Sequence, residues 1–313
     1  MDPMFDVIIV GGGPAGLSAA LILGRCRRSV LVCDAGKPRN KASHALHGYL
    51  TRDGIEPADL LRIGREQLRP YTTVHMRSDE VTEARRVDNG FEITVNNDVV
   101  SSRKLLIATG VVDELPDIEG LKPLYGQSVF HCPYCDGWEL RDKPIAIYGR
   151  EDQGAGLALE LTGWSRDLII CTDGPATLSA SDRKQLDGLN IPVREERIAR
   201  LEGSDGQLDS IVFDNGDVLP RRGMFFNTGQ DQRCDLAARL GCEFTDRGAV
   251  RTGEYEMTNV PGLFVAGDAS RAVQLAIVAA AEGAEAAFAI NKALIKEDLL
   301  LNDSDETATR SRV

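Results

Sequence analysis

The 313-residue sequence has no long apolar run and no excess of positive charge. A membrane-spanning helix needs about 18 consecutive apolar residues, and no segment reaches that length. The apolar start, Val7 to Val10, is too short for a signal peptide and runs directly into glycines, so we expect a cytoplasmic protein. The formal net charge of −12 argues against binding to nucleic acid or to anionic membrane surfaces.

The sequence also lacks the cysteine and histidine spacings of structural metal sites and disulfide frameworks. Its seven cysteines are an odd number, which does not suit a disulfide framework. A zinc site would need two more ligands at short spacing, and none of the four histidines forms such a pair with a cysteine. We therefore interpret five single cysteines as buried thiols: Cys26, Cys33, Cys171, Cys234 and Cys242.

The remaining two cysteines form a C-x-x-C motif in the stretch Phe130-His-Cys-Pro-Tyr-Cys-Asp-Gly137. Three interpretations are open for Cys132 and Cys135: a redox-active pair, half of a zinc site, or two inert buried thiols. The redox interpretation is favoured because such pairs often carry lowered thiol pKa values, and because cytosolic C-x-x-C pairs are more often catalytic than structural. Asp136 follows at once and could pass a proton to or from the nearby sulfur.

The motif also matches the C-P-Y-C of glutaredoxins. That fold needs a strand before the pair and a long helix directly after it. Here Asp136-Gly137-Trp138 and then Asp142-Lys143-Pro144 would break such a helix. The sequence therefore argues against a glutaredoxin.

Residues 5–34 have the order strand, glycine turn, helix, strand that is typical of a dinucleotide-binding unit. In the turn Gly11-Gly-Gly-Pro-Ala-Gly16, Gly11 would make the tight turn, Gly13 would let a pyrophosphate approach, and Gly16 would let the helix pack on the sheet. Asp34, at the end of the second strand, would accept hydrogen bonds from a ribose. Strand, helix and acidic residue in register make this signal much stronger than the glycines alone.

The rest of the chain predicts further strands and helices. We expect an amphipathic helix at 59–70, antiparallel strands over 74–100 with a turn at Asn89-Gly90, and a strand at 104–108 before Thr109-Gly110. A second strand–turn–helix–strand unit follows at 144–171. Its middle glycine is replaced by Glu151, and Asp173 rather than an arginine cluster follows its second strand. The chain closes with a strand into Gly267-Asp268, a helix at 273–294, and a polar tail that we expect to be disordered.

Taken together, these motifs resemble the low-molecular-weight thioredoxin reductases. The resemblance runs from Phe5 to about Lys296 and is carried by the glycine turn, Ala108-Thr-Gly110, the C-P-Y-C-D stretch, the second unit and Val265-Ala-Gly-Asp268. It implies an α/β fold with two Rossmann-like (FAD/NAD(P)-binding) three-layer domains, one inserted in the other. The implied domains are an FAD domain at 1–113 and 246–300, an NAD(P)H-binding-like domain with the redox pair at 114–245, and the tail at 301–313.

The resemblance also implies roles for individual residues. Cys135 would face the flavin, Cys132 would attack the partner disulfide, and Asp136 would be the acid and base. His44 and His47 could edge the flavin pocket, although turn positions are the simpler interpretation. The residues implied to bind FAD are Gly11, Gly13, Pro14, Ala15, Gly16, Asp34, Ala108, Thr109, Gly110, Gly267, Asp268 and Gln274.

The chain departs from the family at the NADPH site, where Glu151 and Asp173 replace a glycine and basic residues. We therefore expect an atypical member that exchanges electrons between FAD, the Cys132/Cys135 pair and a thioredoxin-like protein or small-molecule disulfide. Its electron donor would be ferredoxin or another flavin rather than NADPH. The alternatives are an ordinary NAD(P)H-dependent thioredoxin reductase, a small-molecule dithiol oxidase that uses oxygen, and a flavin redox sensor without turnover. The family also implies a homodimer.

Overall fold

The computed structural model describes residues 4–149 and 152–310. The strands in this part of the chain are β1 (Phe5–Val10), β2 (Val30–Cys33), β3 (Val74–Arg77), β4 (Val81–Val87), β5 (Gly90–Val95), β6 (Asp98–Ile107), β7 (Val111–Asp113), β8 (Val129–Phe130), β9 (Ile145–Tyr148), β10 (Leu168–Cys171), β11 (Val193–Arg194), β12 (Ile198–Ser204), β13 (Gln207–Phe213), β14 (Val218–Pro220), β15 (Gly223–Phe226), β16 (Gln230–Gln232) and β17 (Leu263–Val265). The α-helices are α1 (Pro14–Arg25), α2 (Pro57–Leu68), α3 (Leu121–Leu124), α4 (Pro133–Asp136), α5 (Asp152–Leu161), α6 (Ala180–Gly188), α7 (Leu236–Arg239) and α8 (Ala276–Arg310). A 3₁₀ turn spans Glu254–Glu256.

The contacts divide the chain into two compact units. The first unit contains residues 1–39, 58–112 and 231–313, and the second contains residues 40–57 and 113–230. The segment 40–57 therefore groups with the second unit, although we assigned it to the first part of the FAD domain. The domain boundaries at residues 113 and 245 remain predictions.

The first unit is built on a mixed sheet in the order β3-β2-β1-β6-β5-β4, with β17 also paired to β6. β1 lies in the middle with parallel neighbours on both sides. Its last four residues are buried, as expected for a central strand of a sheet that is covered on both faces. β4, β5 and β6 form the predicted antiparallel meander.

Two details of this sheet differ from the sequence prediction. β3 pairs with β2 in parallel, so the segment from Val74 is not part of the antiparallel meander. The hairpin turn is Asp88-Asn89, one residue earlier than predicted, because Gly90 already pairs with Val87. Gly90 is the first residue of β5, and a Cβ there would lie 2.0 Å from the carbonyl oxygen of Ser102.

Small residues allow α1 and α8 to pack closely in the first unit. A Cβ on Gly283 of α8 would lie 2.0 Å from the carbonyl oxygen of Ala15 in α1. Ala19, Ala286 and Ala287 are fully buried in the same apolar cluster. α8 begins three residues later than predicted and continues to Arg310, through the first ten residues of the segment that we expected to be a disordered tail.

The second unit contains a five-stranded parallel sheet in the order β11-β10-β9-β15-β8. A three-stranded antiparallel sheet, β12-β13-β14, accompanies it. The segment Asp113–Gln230 thus repeats the strand–helix–strand order of the first unit, as the sequence predicted. Both units are α/β structures.

No helix in residues 4–149 and 152–310 is long and apolar enough to cross a bilayer. Over the same residues, no group of three or more histidine, cysteine and carboxylate side chains could hold a metal ion. The zinc interpretation of the cysteine pair therefore has no support in the part of the chain that the structure describes.

Candidate active site

The glycine turn after β1 is held by two close backbone approaches. Gly11 has a φ of +110°, and a Cβ there would lie 2.3 Å from the carbonyl oxygen of Ala108. A Cβ on Gly16 would lie 1.9 Å from the carbonyl oxygen of Gly11. These two glycines therefore close the turn between β1, β6 and α1, as the fingerprint predicts.

Gly13 differs from these two glycines because a Cβ there would meet no atom within 4 Å. Gly13 is the N-cap of α1, no side chain caps this end, and Pro14 occupies the first turn. The open space thus lies at a helix N-terminus, whose backbone N–H groups and dipole favour a phosphate. The residues present fit the diphosphate of FAD.

Asp34 lies directly above the glycine turn. A Cβ on Gly12 would lie 2.7 Å from the carboxylate carbon of Asp34, so a larger residue at position 12 would displace this side chain. Oδ1 of Asp34 accepts a hydrogen bond from the N–H of Gly36 at 3.3 Å, and Oδ2 accepts one from Arg65 at 2.8 Å. Asp34 therefore lies beside the glycine turn and forms a salt bridge to α2 that the sequence did not reveal. Its contact with a ribose remains a prediction.

The loop after β17 presents the other predicted cofactor contacts. The N–H of Gly267 donates to Oε2 of Glu282 at 2.7 Å. Nη1 of Arg39 donates to Oδ2 of Asp268 at 2.8 Å and to Oε1 of Gln274 at 2.7 Å. Gln274 is half-buried and lies two residues before α8, outside the helix, whereas the sequence predicted a helix from residue 273. Arg39 and Glu282 are functional candidates that sequence reasoning missed.

Glu282 is a buried carboxylate of α8. The sequence does show a glutamate within an alanine-rich stretch at this position, and this pattern could have indicated a buried carboxylate. Burial raises the pKa of Glu282 to about 7, and the nearby carboxylate of Glu256 also raises it. The N–H of Gly267 and the guanidinium of Arg271, whose Nε is 3.0 Å from Oε1, lower that pKa in part. Glu282 thus anchors the backbone beside Asp268 and titrates near neutral pH.

The predicted residues Ala108, Thr109 and Gly110 follow β6 at the same edge of the sheet. The N–H of Ala108 donates to Val10 at 2.7 Å, which ties this loop to the glycine turn. Sγ of Cys234 lies 3.7 Å from the Thr109 hydroxyl oxygen, and the N–H of Arg233 donates to the carbonyl oxygen of Gly110 at 3.2 Å. The first unit therefore brings all three groups of predicted FAD contacts to the carboxyl ends of β1, β6 and β17.

In the second unit, Cys132 and Cys135 form a disulfide with a Cα–Cα distance of 5.3 Å. The pair lies on α4, a four-residue helix with Pro133 in its first turn, directly after β8. The N–H groups of Cys135 and Asp136 both donate to the carbonyl oxygen of Cys132 at 3.2 Å. Because α4 ends at Asp136, the long helix of a glutaredoxin is absent here.

The environment of Asp136, the predicted acid and base, changes the pKa of its carboxyl group. Burial, together with the smaller effect of the negative charge of Glu139, raises the pKa of Asp136 to about 7. A carboxyl group with this pKa can both donate and accept a proton near neutral pH. Asp136 was predicted as the acid and base, and its environment suits that role.

Aromatic side chains surround the disulfide turn. A Cβ on Gly137 would lie 2.9 Å from Cδ2 of Trp164, so the glycine lets the turn pack on this indole ring. Trp164 in turn meets the ring of Tyr134 edge to face, with 5.5 Å between ring centroids. Tyr134 and Trp138 are 68% and 64% exposed, which makes the motif an open apolar surface.

Two histidines of the second unit lie near the redox motif. Nδ1 of His131 is 3.3 Å from the Tyr125 hydroxyl, which donates to Asp113 at 2.6 Å. Nε2 of His47 is 3.6 Å from Glu139, the residue that raises the pKa of Asp136. His47 therefore belongs to the unit with the cysteines, and a turn position alone does not describe it.

The single cysteines are only partly as predicted. Cys33, Cys171 and Cys242 are buried, whereas Cys234 is half-buried and Cys26 is exposed. Cys26 is exposed because it caps the C-terminus of α1 instead of lying on its packed face. Burial raises the pKa of Cys33 to about 11 and that of Cys171 to about 12, so these two thiols are unreactive at neutral pH.

The second strand–helix–strand unit keeps the outer two glycines of a fingerprint. A Cβ on Gly154 would lie 2.8 Å from the carbonyl oxygen of Gly149, which corresponds to the approach of Gly16 to the carbonyl oxygen of Gly11. Glu151, the residue predicted to block a pyrophosphate, lies outside the described residues. After β10, Oδ1 of Asp173 accepts the N–H of Ile198 at 2.8 Å, so this oxygen supports the local backbone.

The arginine beside β10 is neutralised by its neighbours. Arg194 of β11 pairs with Glu196 at 3.1 Å and with Asp217 at 2.7 Å. Its guanidinium carbon lies 4.0 Å from the centre of the Phe213 ring. These contacts occupy the guanidinium of Arg194, which lies on the strand next to β10.

Comparisons with known proteins agree with this geometry. The pyridine nucleotide-disulphide oxidoreductase family matches residues 5–283. The thioredoxin reductase aclD of Aspergillus oryzae is 30% identical over 301 residues, covering 92% of this chain and 96% of that protein. The crystal structure of HlmI is similar with a TM-score of 0.93 and 33% identity, over 100% of this chain and 99% of that one. An oxidoreductase from Agrobacterium tumefaciens has a TM-score of 0.87 and 32% identity, over 94% of this chain and 99% of that one.

Proposed function

We propose a function from the family to which this chain belongs, the pyridine nucleotide-disulphide oxidoreductases, in which it is a thioredoxin-reductase-like FAD-dependent disulfide oxidoreductase. In this proposal the protein exchanges electrons between FAD and the Cys132–Cys135 disulfide, and then between these cysteines and a dithiol or disulfide substrate. The observation that carries this proposal is the disulfide itself, set beside Asp136, a carboxyl whose pKa is raised to about 7. A structural disulfide needs no such group. The substrate is a thioredoxin-like protein or a small-molecule disulfide.

The cysteines and Asp136 divide the thiol chemistry between them. When bound, FAD supplies two-electron redox chemistry. On reduction the bond between Cys132 and Cys135 breaks, and Asp136 gives a proton to one sulfur. The Cys132 thiolate then attacks the partner disulfide, so that a mixed disulfide forms and one partner thiolate leaves. Cys135 attacks Cys132, which restores the original disulfide and releases the second partner thiolate.

The proposed FAD site lies in the first unit. Gly11, Gly13 and Gly16, with the N-terminus of α1 at Pro14 and Ala15, would hold the diphosphate, and Asp34 would hold the adenosine ribose. Ala108, Thr109 and Gly110 would line the same edge. Gly267 and Asp268 would contact the ribityl chain or diphosphate, and Gln274 the flavin ring. The open space over Gly13 supports this assignment.

We propose that the electron donor is not NADPH but ferredoxin or another flavin. Two observations support this proposal. An oxygen of Asp173 accepts the N–H of Ile198, and Arg194 pairs with two carboxylates, so neither residue is arranged to bind a nucleotide phosphate. Glu151 adds a carboxylate at the middle fingerprint position. Flow in the opposite direction, from a small dithiol to oxygen, would use the same residues.

An apolar stripe on α8 supports a homodimer. Phe288, Ile295 and Leu299 follow one another at spacings of seven and four residues, which places them on one helix face. Phe288 is 56% exposed and Leu299 is 59% exposed. The ring of Tyr255 packs beside Phe288 with 5.7 Å between centroids. A second copy would bury this stripe, and Leu299→Asp should then shift the mass in solution toward a monomer.

The roles of the two cysteines can be tested with single-cysteine variants. A thioredoxin-like protein whose one remaining cysteine carries a thionitrobenzoate group is mixed with reduced Cys135→Ser or reduced Cys132→Ser. Cys135→Ser retains Cys132, so we expect it to release coloured thionitrobenzoate and to form a stable mixed disulfide. Cys132→Ser should react far more slowly. Equal rates for the two variants would contradict the assigned order.

A further inference from the structure

Arg39 lies where two distant segments of the first unit meet. It comes five residues after Asp34, and Nη1 donates to Asp268 at 2.8 Å and to Gln274 at 2.7 Å. The sequence separations are 229 and 235 residues. The Arg39 side chain is only 14% exposed. Its guanidinium is therefore built into the proposed FAD site, although it is not part of the glycine fingerprint.

The charges at this edge of the sheet explain why a cation is required. Asp268 brings a carboxylate to a site that is to hold an anionic diphosphate, and Asp34, which pairs with Arg65, brings a second. α1 offers N–H groups and a helix dipole there but no full positive charge. A carboxylate at Asp268 can stand beside a diphosphate only if its charge is offset, because like charges repel strongly in a partly buried site.

Arg39 also fixes the amide of Gln274. Because a guanidinium only donates hydrogen bonds, the atom of Gln274 that faces it is the carbonyl oxygen. Nε2 of Gln274 then faces the carbonyl oxygens of Asp268 at 3.4 Å and Arg271 at 3.3 Å. A single nitrogen of Arg39 thus holds both the carboxylate of Asp268 and the orientation of Gln274.

We propose that Arg39 is a cofactor-positioning residue that offsets the charge of Asp268 next to the FAD diphosphate and orients Gln274 toward the flavin. This inference rests on the proposed function, because it assumes that the first unit binds FAD. A purely structural arginine would tie the two segments together without changing the affinity of the folded protein for FAD.

Arg103 provides a matched control. It is 21% exposed, pairs with Asp6 at 3.0 Å and Asp298 at 2.8 Å, and likewise joins distant segments of the first unit. It follows Ser102, which pairs with Phe5 at the start of β1, so it lies at the edge of the sheet opposite the glycine turn. Arg103→Gln therefore removes a buried segment-joining charge without altering the proposed FAD site.

The experiment measures the dissociation constant of FAD for the apoprotein of the full chain. Circular dichroism confirms the fold of each variant. For Arg39→Gln we expect FAD to bind about 10- to 100-fold more weakly than to the native protein, as is usual for the loss of a charged hydrogen bond. Arg39→Lys keeps the charge, so its affinity for FAD should lie between that of the native protein and that of Arg39→Gln. Arg103→Gln should bind FAD within about twofold of the native protein even if its melting temperature falls.

A double variant tests the charge argument directly. Arg39→Gln with Asp268→Asn removes both charges, so it should bind FAD more tightly than Arg39→Gln alone. The affinity deficit of Arg39→Gln should also shrink as salt is added, because salt screens the repulsion. A folded Arg39→Gln that binds FAD as well as Arg103→Gln does, or a double variant weaker than Arg39→Gln, would overturn the inference. A native protein that binds no FAD would instead overturn the proposed function.

Discussion

At the scale of single residues, the proton of Asp136 is controlled by burial and by the neighbouring charge of Glu139. Glu139→Gln removes that charge, so the pKa of Asp136 should fall but stay above the ordinary range, since burial remains. If protonated Asp136 is needed, activity at about pH 8 should fall about threefold, and the alkaline limb of the pH–rate profile should move to lower pH.

The control for Glu139→Gln is Glu202→Gln. Glu202 is another half-exposed glutamate of the second unit, and it pairs with Arg200 on β12. This variant should leave the pH–rate profile where it is. An unchanged profile for Glu139→Gln as well would mean that Asp136 does not limit the reaction.

Glu282 gives a second prediction at this scale, which concerns stability. Burial raises its pKa to about 7 from an ordinary value of 4.5, so the folded state disfavours the charged form. The stability associated with neutral Glu282 is therefore fully present below about pH 4.5 and is lost as the pH rises through about 7. In Glu282→Gln this loss should disappear. Between about pH 4.5 and 7.5, the unfolding free energy of the variant should therefore rise by on the order of 3 kcal/mol relative to that of the native protein.

Denaturant unfolding of both proteins across this pH range measures the difference. Only the difference between the two proteins is informative, because other carboxylates titrate in both. A difference that does not change with pH would show that Glu282 has an ordinary pKa in the folded protein.

At the scale of elements, the packing of α1 on α8 depends on one glycine. A Cβ on Gly283 would lie 2.0 Å from the backbone oxygen of Ala15, so Gly283→Ala must push the helices apart. We expect this variant to lose about 2–4 kcal/mol of unfolding free energy. Gly156→Ala in α5 is the matched control, because a Cβ there meets no atom within 4 Å. It should be neutral or stabilise by up to about 1 kcal/mol. Chemical denaturation distinguishes the two, and equal effects would contradict the packing argument.

Some elements of the fold could be predicted from the sequence, and others could not. β1, α1 and β2 were predictable because their signal is local: an apolar strand, glycines at fixed spacing and a helix start. The parallel pairing of β3 with β2 was not, since a four-residue strand carries no sign of its neighbour's direction. The contact between Arg39 and Asp268 was equally hidden, because it joins residues 229 positions apart. The assignment of FAD contacts to the loop after β17 came from the resemblance and not from local pattern.

At the scale of the whole molecule, the two strand–helix–strand units have different chemical capacities. The first keeps all three fingerprint glycines, open space over Gly13 and a carboxylate after its second strand. The second keeps only Gly149 and Gly154, and Arg194 on β11 is held by Glu196 and Asp217. We therefore expect the first unit to bind a dinucleotide, FAD, tightly and the second unit to bind a dinucleotide weakly.

This contrast leads to a prediction about the electron donor. Under anaerobic conditions, micromolar NADPH or NADH should not bleach the visible absorbance of the flavin within seconds. A ferredoxin-type or photochemical donor should bleach it and then produce two new titratable thiols, which Cys132→Ser would not yield. Glu151→Gly alone should restore little, because residues 172–182 after β10 contain no basic residue and Arg194 stays paired with its carboxylates. Bleaching of the native protein by NADPH within seconds would instead identify an ordinary NADPH-linked reductase, with the same cysteines and Asp136 performing the thiol steps.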